Sequence, residues 1–154
     1  MRWLAIALCA FACGGSGDFF RDPSDLSLQP ETHYSSYWSG FDQPARLVIR
    51  DQGTWATFWQ RMHSSVTPQP AVPTVDFASR MVVAAAMGTR NSGGYSIVVA
   101  SMSTGADATA NVVSTSPGTN CVVTGALTQP LDAAVVPRVE GTVKFVESTK
   151  VHDC

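Results

Sequence analysis

A reacting centre needs an acid and a base held together, a set of metal ligands, or a nucleophile in a shaped turn, and in this chain the residues that could supply them are thinly spread. The histidines, His33, His63 and His152, stand in unrelated contexts. Asp and Glu residues are isolated and read as solvated or capping groups. There is no HExxH, no phosphate-cradling glycine loop, no dinucleotide turn and no nucleophile elbow, since Gly15-Ser16-Gly17 belongs to a tether. Distant residues can still assemble a Ser/His/Asp triad, which keeps a small periplasmic enzyme among the alternatives. The expectation is a chain with no catalytic residue, no metal ligand set and no cofactor.

The cysteines carry the most specific chemistry. Arg2 precedes the apolar run Trp3 to Ala12, which ends in small residues before Cys13 and the Gly14 to Gly17 tether. A charged start, a short apolar run and a small-residue cleavage site read as a signal peptide over residues 1–12. A cysteine directly behind Ala12 resembles the bacterial lipoprotein signal and makes Cys13 the candidate lipidation site. Ala10 departs from that pattern, which favours leucine there, and Cys9 fits worse because the bulky Leu8 precedes it. An ordinary secretory signal is the alternative; a membrane-spanning helix needs about 20 apolar residues, more than this run offers. Export leaves Cys121 and Cys154 as the remaining pair in an oxidising compartment, where a disulfide is expected. Such a bridge restricts the unfolded chain by ~4 kcal/mol in the loop-entropy model. The competing reading, a reactive Cys121 thiol with a histidine base, requires a thiol left free in an oxidising space.

The elements that would position any site are arranged around RMVVAAAMGTRNSGGYSIVVA, residues 80–100. Met81 to Met87 is apolar at every position, the pattern of a strand buried on both faces. Gly88 ends it, and Arg90, Asn91, Ser92, Gly93 and Gly94 form a polar turn whose glycines can take positive φ. Tyr95, Ile97 and Val99 then share one face of a second strand. A hairpin between two core strands is the expectation, with Arg90 to Tyr95 as its tip and as the candidate partner-binding turn.

The apolar strand, Met87-Gly88, a basic residue and Ser92-Gly93-Gly94-Tyr95-Ser96-Ile97 together resemble the PrcB-type domain, named after an accessory lipoprotein of a bacterial surface protease complex. The resemblance runs from about Arg46 to the C-terminus, taking in Val48 to Asp51, the Trp55 and Trp59 segment, Val75 to Phe77 and Val135 to Arg138. It implies a domain over 46–154 that stabilises or assembles an exported protease rather than cleaving substrates itself. Asn91 to Tyr95 also loosely resembles the inhibitory loop of chagasin-like protease inhibitors, without its proline, which implies a different use of the same turn.

Residues 13–45 read as a tether followed by an aromatic arm, in which Tyr34, Tyr37, Trp38 and Phe41 either pack along the domain edge as a first strand or form a partner-binding patch. Arg46 to Arg50 is a short strand. Asp51 can cap a helix whose Trp55, Phe58, Trp59 and Met62 fall at i, i+3, i+4 and i+7, one apolar stripe that lids the core. Pro68, Pro70 and Pro73 make an extended loop. Short strands follow at Ala110 to Thr115, Cys121 to Leu127, Leu131 to Val136 and Thr142 to Glu147, with Gly-, Pro- and Asn-rich turns between them. The fold class expected is mainly β: a small β-sandwich or partly open barrel with one amphipathic helix packed on it.

With 154 residues the chain suits one core. Its formal net charge is -2 and its only lysines are Lys144 and Lys150, so no basic face is offered to nucleic acid. What is left is a rigid scaffold presenting loops, where recognition tends to reside. The expected function is a non-catalytic binding module anchored through lipid in the cell envelope, with a protein partner; a purely structural envelope protein is the bland alternative.

Overall fold

The computed structural model describes residues 27–105 and 108–154; Cys13 and the signal segment lie outside them. Eight strands and one helix are described: β1 Ser27–Leu28, β2 Thr32–Ser36, β3 Pro44–Ile49, α1 Gln52–Met62, β4 Arg80–Met87, β5 Ser96–Ser103, β6 Ala108–Pro117, β7 Leu131–Pro137 and β8 Val143–His152. They form two four-stranded sheets, ordered β1-β5-β6-β8 and β2-β7-β4-β3. This is a sandwich, and the two sheets stay separate instead of closing into a barrel.

The second sheet is buried on both faces, and its sequence explains why. Along β4, Val82, Ala84 and Ala86 join one core cluster with Trp55, Phe58 and Trp59 of α1, while Met81, Val83, Ala85 and Met87 join another with Ile97, Val99 and Val112 of the first sheet. A strand sandwiched in this way has no polar face to spare, hence its unbroken apolar run. β7 does the same beside it, with Leu131, Ala133 and Val135 toward the helix and Ala134 and Val136 toward the other sheet. The central placement of 81–87 agrees with the sequence expectation.

Helix α1 starts as anticipated. Asp51 is extended (φ -148°, ψ 156°) and accepts from the Thr54 amide at 2.8 Å, and Trp55, Phe58, Trp59 and Met62 are the buried stripe. The indole N–H groups of Trp55 and Trp59 donate to the carbonyls of Pro73 and Pro70 at 2.9 and 3.0 Å. The proline-rich loop is thus strapped across the helix, and the buried donors are satisfied.

Two expectations need correction. Residues 80–103 are not a hairpin: β4 pairs with β3 and β7, β5 pairs with β1 and β6, and the turn carries the chain from one sheet to the other. Residues 121–127 form no strand; Val122, Val123 and Leu127 are exposed, and the glycine and backbone contacts they make belong to a loop. Of the two readings of the aromatic arm, the first strand along the domain edge describes its Tyr34: residues 27–45 contribute β1, β2 and the start of β3 to the two sheets. Tyr34 on β2 lies 5.2 Å from the Trp59 ring, edge to face, and Phe41 is a core residue.

Strand β8 runs parallel to β6 over ten paired positions, from Ala108↔Val143 to Pro117↔His152. Just beyond its end Cys154 is bonded to Cys121, 33 positions away in sequence, with Cα atoms 5.1 Å apart. The bridge fastens the last strand to the loop behind β6.

Candidate interaction site at the loop end of the sandwich

Three stretches meet where the chain crosses between the sheets: 37–42, 88–95 and 124–129. Gly88 takes φ +74°, and a Cβ there would lie 2.9 Å from the Pro44 nitrogen, so the backbone passes close beneath β3. Arg90 and Thr128 exchange both backbone hydrogen bonds, at 2.8 and 3.0 Å. The Thr128 hydroxyl donates to the Ser92 carbonyl at 2.8 Å, and the Gly93 amide donates to Thr124 at 2.9 Å. The turn is therefore backed by the loop that the sequence suggested was a strand.

The glycines answer two separate needs. Gly94 takes φ +84°, and a Cβ on it would come within 2.9 Å of Val123 Cγ1 and 3.0 Å of Pro117. Gly93 does not need positive φ; a Cβ there would meet Thr124 Oγ1 at 2.6 Å. Tyr95 packs against the second core, and the Arg90 guanidinium lies 5.7 Å from the centre of its ring.

Gln129 ties in the aromatic segment. Its amide donates to the Tyr37 carbonyl at 2.6 Å, its carbonyl accepts from the Ser39 hydroxyl at 2.8 Å, its Oε1 accepts from the Gly40 amide at 3.0 Å, and its Nε2 donates to Asp42. Ser39 is fully buried by this arrangement. The result is that Tyr37 and Trp38, 55% and 60% exposed, are held out to solvent by a rigid base, and Leu127, 68% exposed, stands at the end of the backing loop. A cleft of about 420 Å³ runs between Tyr37 and Trp38 on one side and Gly93, Gly94 and Thr124 on the other. Exposed aromatic and aliphatic groups beside hydroxyls and open backbone make a surface suited to a protein partner.

Of the residues nominated from sequence, Gly93, Gly94 and Tyr95 serve the turn's architecture, Asn91 is exposed, Ser92 is half-buried and its carbonyl is taken by Thr128, and Arg90 is half-buried beneath the turn. The structure brings Tyr37 and Trp38, considered only as part of the arm, to the same cleft. Leu127 was hidden inside a misread strand, although Gly125 and Pro130 around it signal a loop.

A second constellation surrounds Asp132. Asp132 is fully buried in β7; its Oδ1 accepts from the Ser35 hydroxyl at 2.9 Å, and its Oδ2 lies 2.9 Å from both His33 Nδ1 and the Val99 amide. A serine, a histidine and an aspartate are thus together, but the carboxylate stands between the other two. In an acyl-transfer relay the imidazole must stand between serine and carboxylate. What Asp132 does is bond the second sheet, through its own strand and β2, to an amide of β5 in the first. The available signal was one acidic residue inside the otherwise apolar run Leu131 to Val136. Among the described residues no three of His, Cys, Asp and Glu come together as a metal site would require, and no described helix is long and apolar enough to cross a membrane.

No curated protein and no solved structure gives a significant match to this chain. Residues 81–137, which run from β4 through β7 and include the turn and its backing loop, match the family described as PrcB C-terminal. That span is shorter than the resemblance drawn from Arg46 onward, yet it holds the Gly93-Gly94-Tyr95 turn on which the resemblance rests: the chain carries a PrcB-like domain.

Proposed function

We propose that this chain is a non-catalytic binding module of the cell envelope, anchored by lipid at Cys13, that serves as an accessory subunit of an exported protease complex. The observation that carries the reading is the loop end, where Tyr37, Trp38 and Leu127 are presented to solvent around the turn of the PrcB-like segment. Rigidly held aromatic side chains provide large contact area at low entropic cost. The use of Asp132 as an inter-sheet clamp supports a scaffold rather than an enzyme, and the Cys121–Cys154 bridge suits an oxidising compartment. An inhibitor that offers Asn91 to Tyr95 as a free loop is less well supported, because Ser92 and Gly93 are hydrogen-bonded to Thr128 and Thr124.

The test is capture from native membranes. Tagged full-length chain should co-purify a peptidase, and a Trp38→Ala, Leu127→Ala variant should keep its Tm and lose most of that peptidase, since truncating a central aromatic commonly costs ≥ ~2 kcal/mol of binding, about thirtyfold. Unchanged capture by the normally folded variant would remove the loop end from consideration. In parallel, the mature protein should carry acyl mass at Cys13 and release from membranes on Cys13→Ser; a mature terminus without acyl mass would refute the anchor.

A further inference from the structure

We infer that the open side of the sandwich between β3 and β8 is a carboxylate-binding cleft, with Arg90 and Lys150 as its cationic residues. The cleft, of about 370 Å³, lies between the edges of the two sheets, and its charged lining consists of Arg46, Arg90, Glu147 and Lys150. Its charges do not balance internally. Arg46 is spent: Nε and Nη2 each donate to Glu147 at 2.8 Å, and Nη1 donates to the carbonyls of Ala45 and Ala86 at 2.7 Å. Glu147, the only carboxylate in the lining, is thereby neutralised. Two cations remain in a chain whose overall charge is -2.

Arg90 is under-used for a half-buried arginine. Nη2 donates to the Met87 carbonyl at 3.0 Å, and Nε is buried with no hydrogen-bond partner. A guanidinium has five donors in a planar fork, and leaving charged donors unpaired is costly unless something other than the protein meets the group. The Tyr95 ring restrains the group from one side. Lys150, on the exposed end of β8, has no ion-pair partner among the described residues, and the hydroxyl-bearing Ser114 and Thr149 line the same cleft. An arginine fork, a lysine point charge and flanking hydroxyls fit a planar monoanion. Inorganic phosphate could use the same donors and is therefore the competing ligand in the test. Arg90 belongs to the turn that also borders the loop-end cleft, so the carboxylate is assigned to a polypeptide, either an acidic side chain or a chain terminus; that assignment alone rests on the proposed partner-binding role.

The experiment is a titration of the ¹⁵N-labelled full chain with three probes: acetyl-Ala-Glu-Ala-amide, acetyl-Ala-Ala-Ala with a free terminal carboxylate, and inorganic phosphate. Saturable shifts are expected at the Ser114, Thr149 and Lys150 amides and at Arg90 Nε–H with at least one peptide, weakening as salt is raised. Whichever peptide binds tighter identifies the source of the carboxylate. Arg90→Gln and Lys150→Gln should each weaken that binding roughly tenfold, the loss of one charge-assisted contact; Lys150→Gln, on an exposed strand end, keeps the test open should Arg90→Gln perturb the turn. Absence of saturable shifts with both peptides, binding unchanged in Lys150→Gln, or phosphate binding tighter than either peptide would overturn the assignment. Because the probes are peptides, a cleft that takes none of them leaves the loop-end reading untouched, and failed partner capture by a chain whose cleft titrates normally would sink that reading alone.

Discussion

Gly94 in the turn and Gly125 in the loop that backs it make opposite demands. Gly94 combines φ +84° with a Cβ position 2.9 Å from Val123 and 3.0 Å from Pro117, whereas a Cβ on Gly125 would meet nothing within 4 Å. Gly94→Ala should therefore lower stability by about 1 kcal/mol or more, and Gly125→Ala should be close to neutral; paired thermal melts decide it, and equal Tm values would refute the structural role given to Gly94. Asp51 supplies a pH-dependent counterpart. Hydrogen bonds from the Thr54 amide and hydroxyl hold its carboxyl below the usual 3.8. A depressed folded value means the stabilisation is fully present above pH 3.8 and is lost as pH falls through the lower, folded value. Asp76, lowered by the Ser79 hydroxyl and the Ala78 amide, has the same sign. The acid limb of a Tm-against-pH curve should thus flatten in Asp51→Asn, which keeps a cap oxygen but cannot titrate; an unchanged limb would show that Asp51 contributes nothing to it.

At the scale of elements, α1 and the loop behind it behave as one unit because two indoles donate into that loop. Trp59→Phe keeps an aromatic ring against Tyr34 but removes the N–H that the Pro70 carbonyl accepts together with part of the buried ring. We predict a loss of at least about 1 kcal/mol, the hydrogen bond plus the space vacated, and faster proteolytic cutting near residues 69–72, with the rest of the fold unchanged; a loop no more cleavable than in the wild type would contradict the strap. This unit was legible in the sequence: the i, i+3, i+4, i+7 stripe, the Asp51 cap and the three prolines each leave a local signature. So did the buried strand at 81–87 and the Cys121–Cys154 pair. The misreadings share a cause. Whether two consecutive strands pair with each other or cross to opposite sheets is decided by long-range packing, and nothing within Gly88 to Tyr95 distinguishes a hairpin tip from a sheet-to-sheet crossing. The Val122-Val123 pair has strand propensity but no strand beside it to pair with, so propensity is overridden there. The site followed the same rule: the turn itself was visible, while Leu127 and Asp132 gained meaning only once distant segments were brought beside them.

At the scale of the whole molecule, the family match and the folding unit have different boundaries. Residues 81–137 comprise β4 to β7, but each of these strands leans on something outside that span: β4 on β3, β5 on β1, β7 on β2, and β6 on β8. The helix-side core would lose Phe41, Trp55, Phe58 and Trp59, all of its buried aromatic residues, and the bridge would lose Cys154. One face of β4 and β7 would then be bare, with alanine and valine side chains turned to water and no helix to cover them. Burying a large aromatic side chain contributes on the order of 2–3 kcal/mol, and small domains have a net stability of only ~5–15 kcal/mol, so four such losses leave no margin. The segment 81–137 expressed alone should show no cooperative thermal transition and should bind a hydrophobic dye, while 27–154 melts in a single step. A sharp melt from the short segment would mean that its strands find another cover, and that the helix layer is an addition to the fold rather than half of its core.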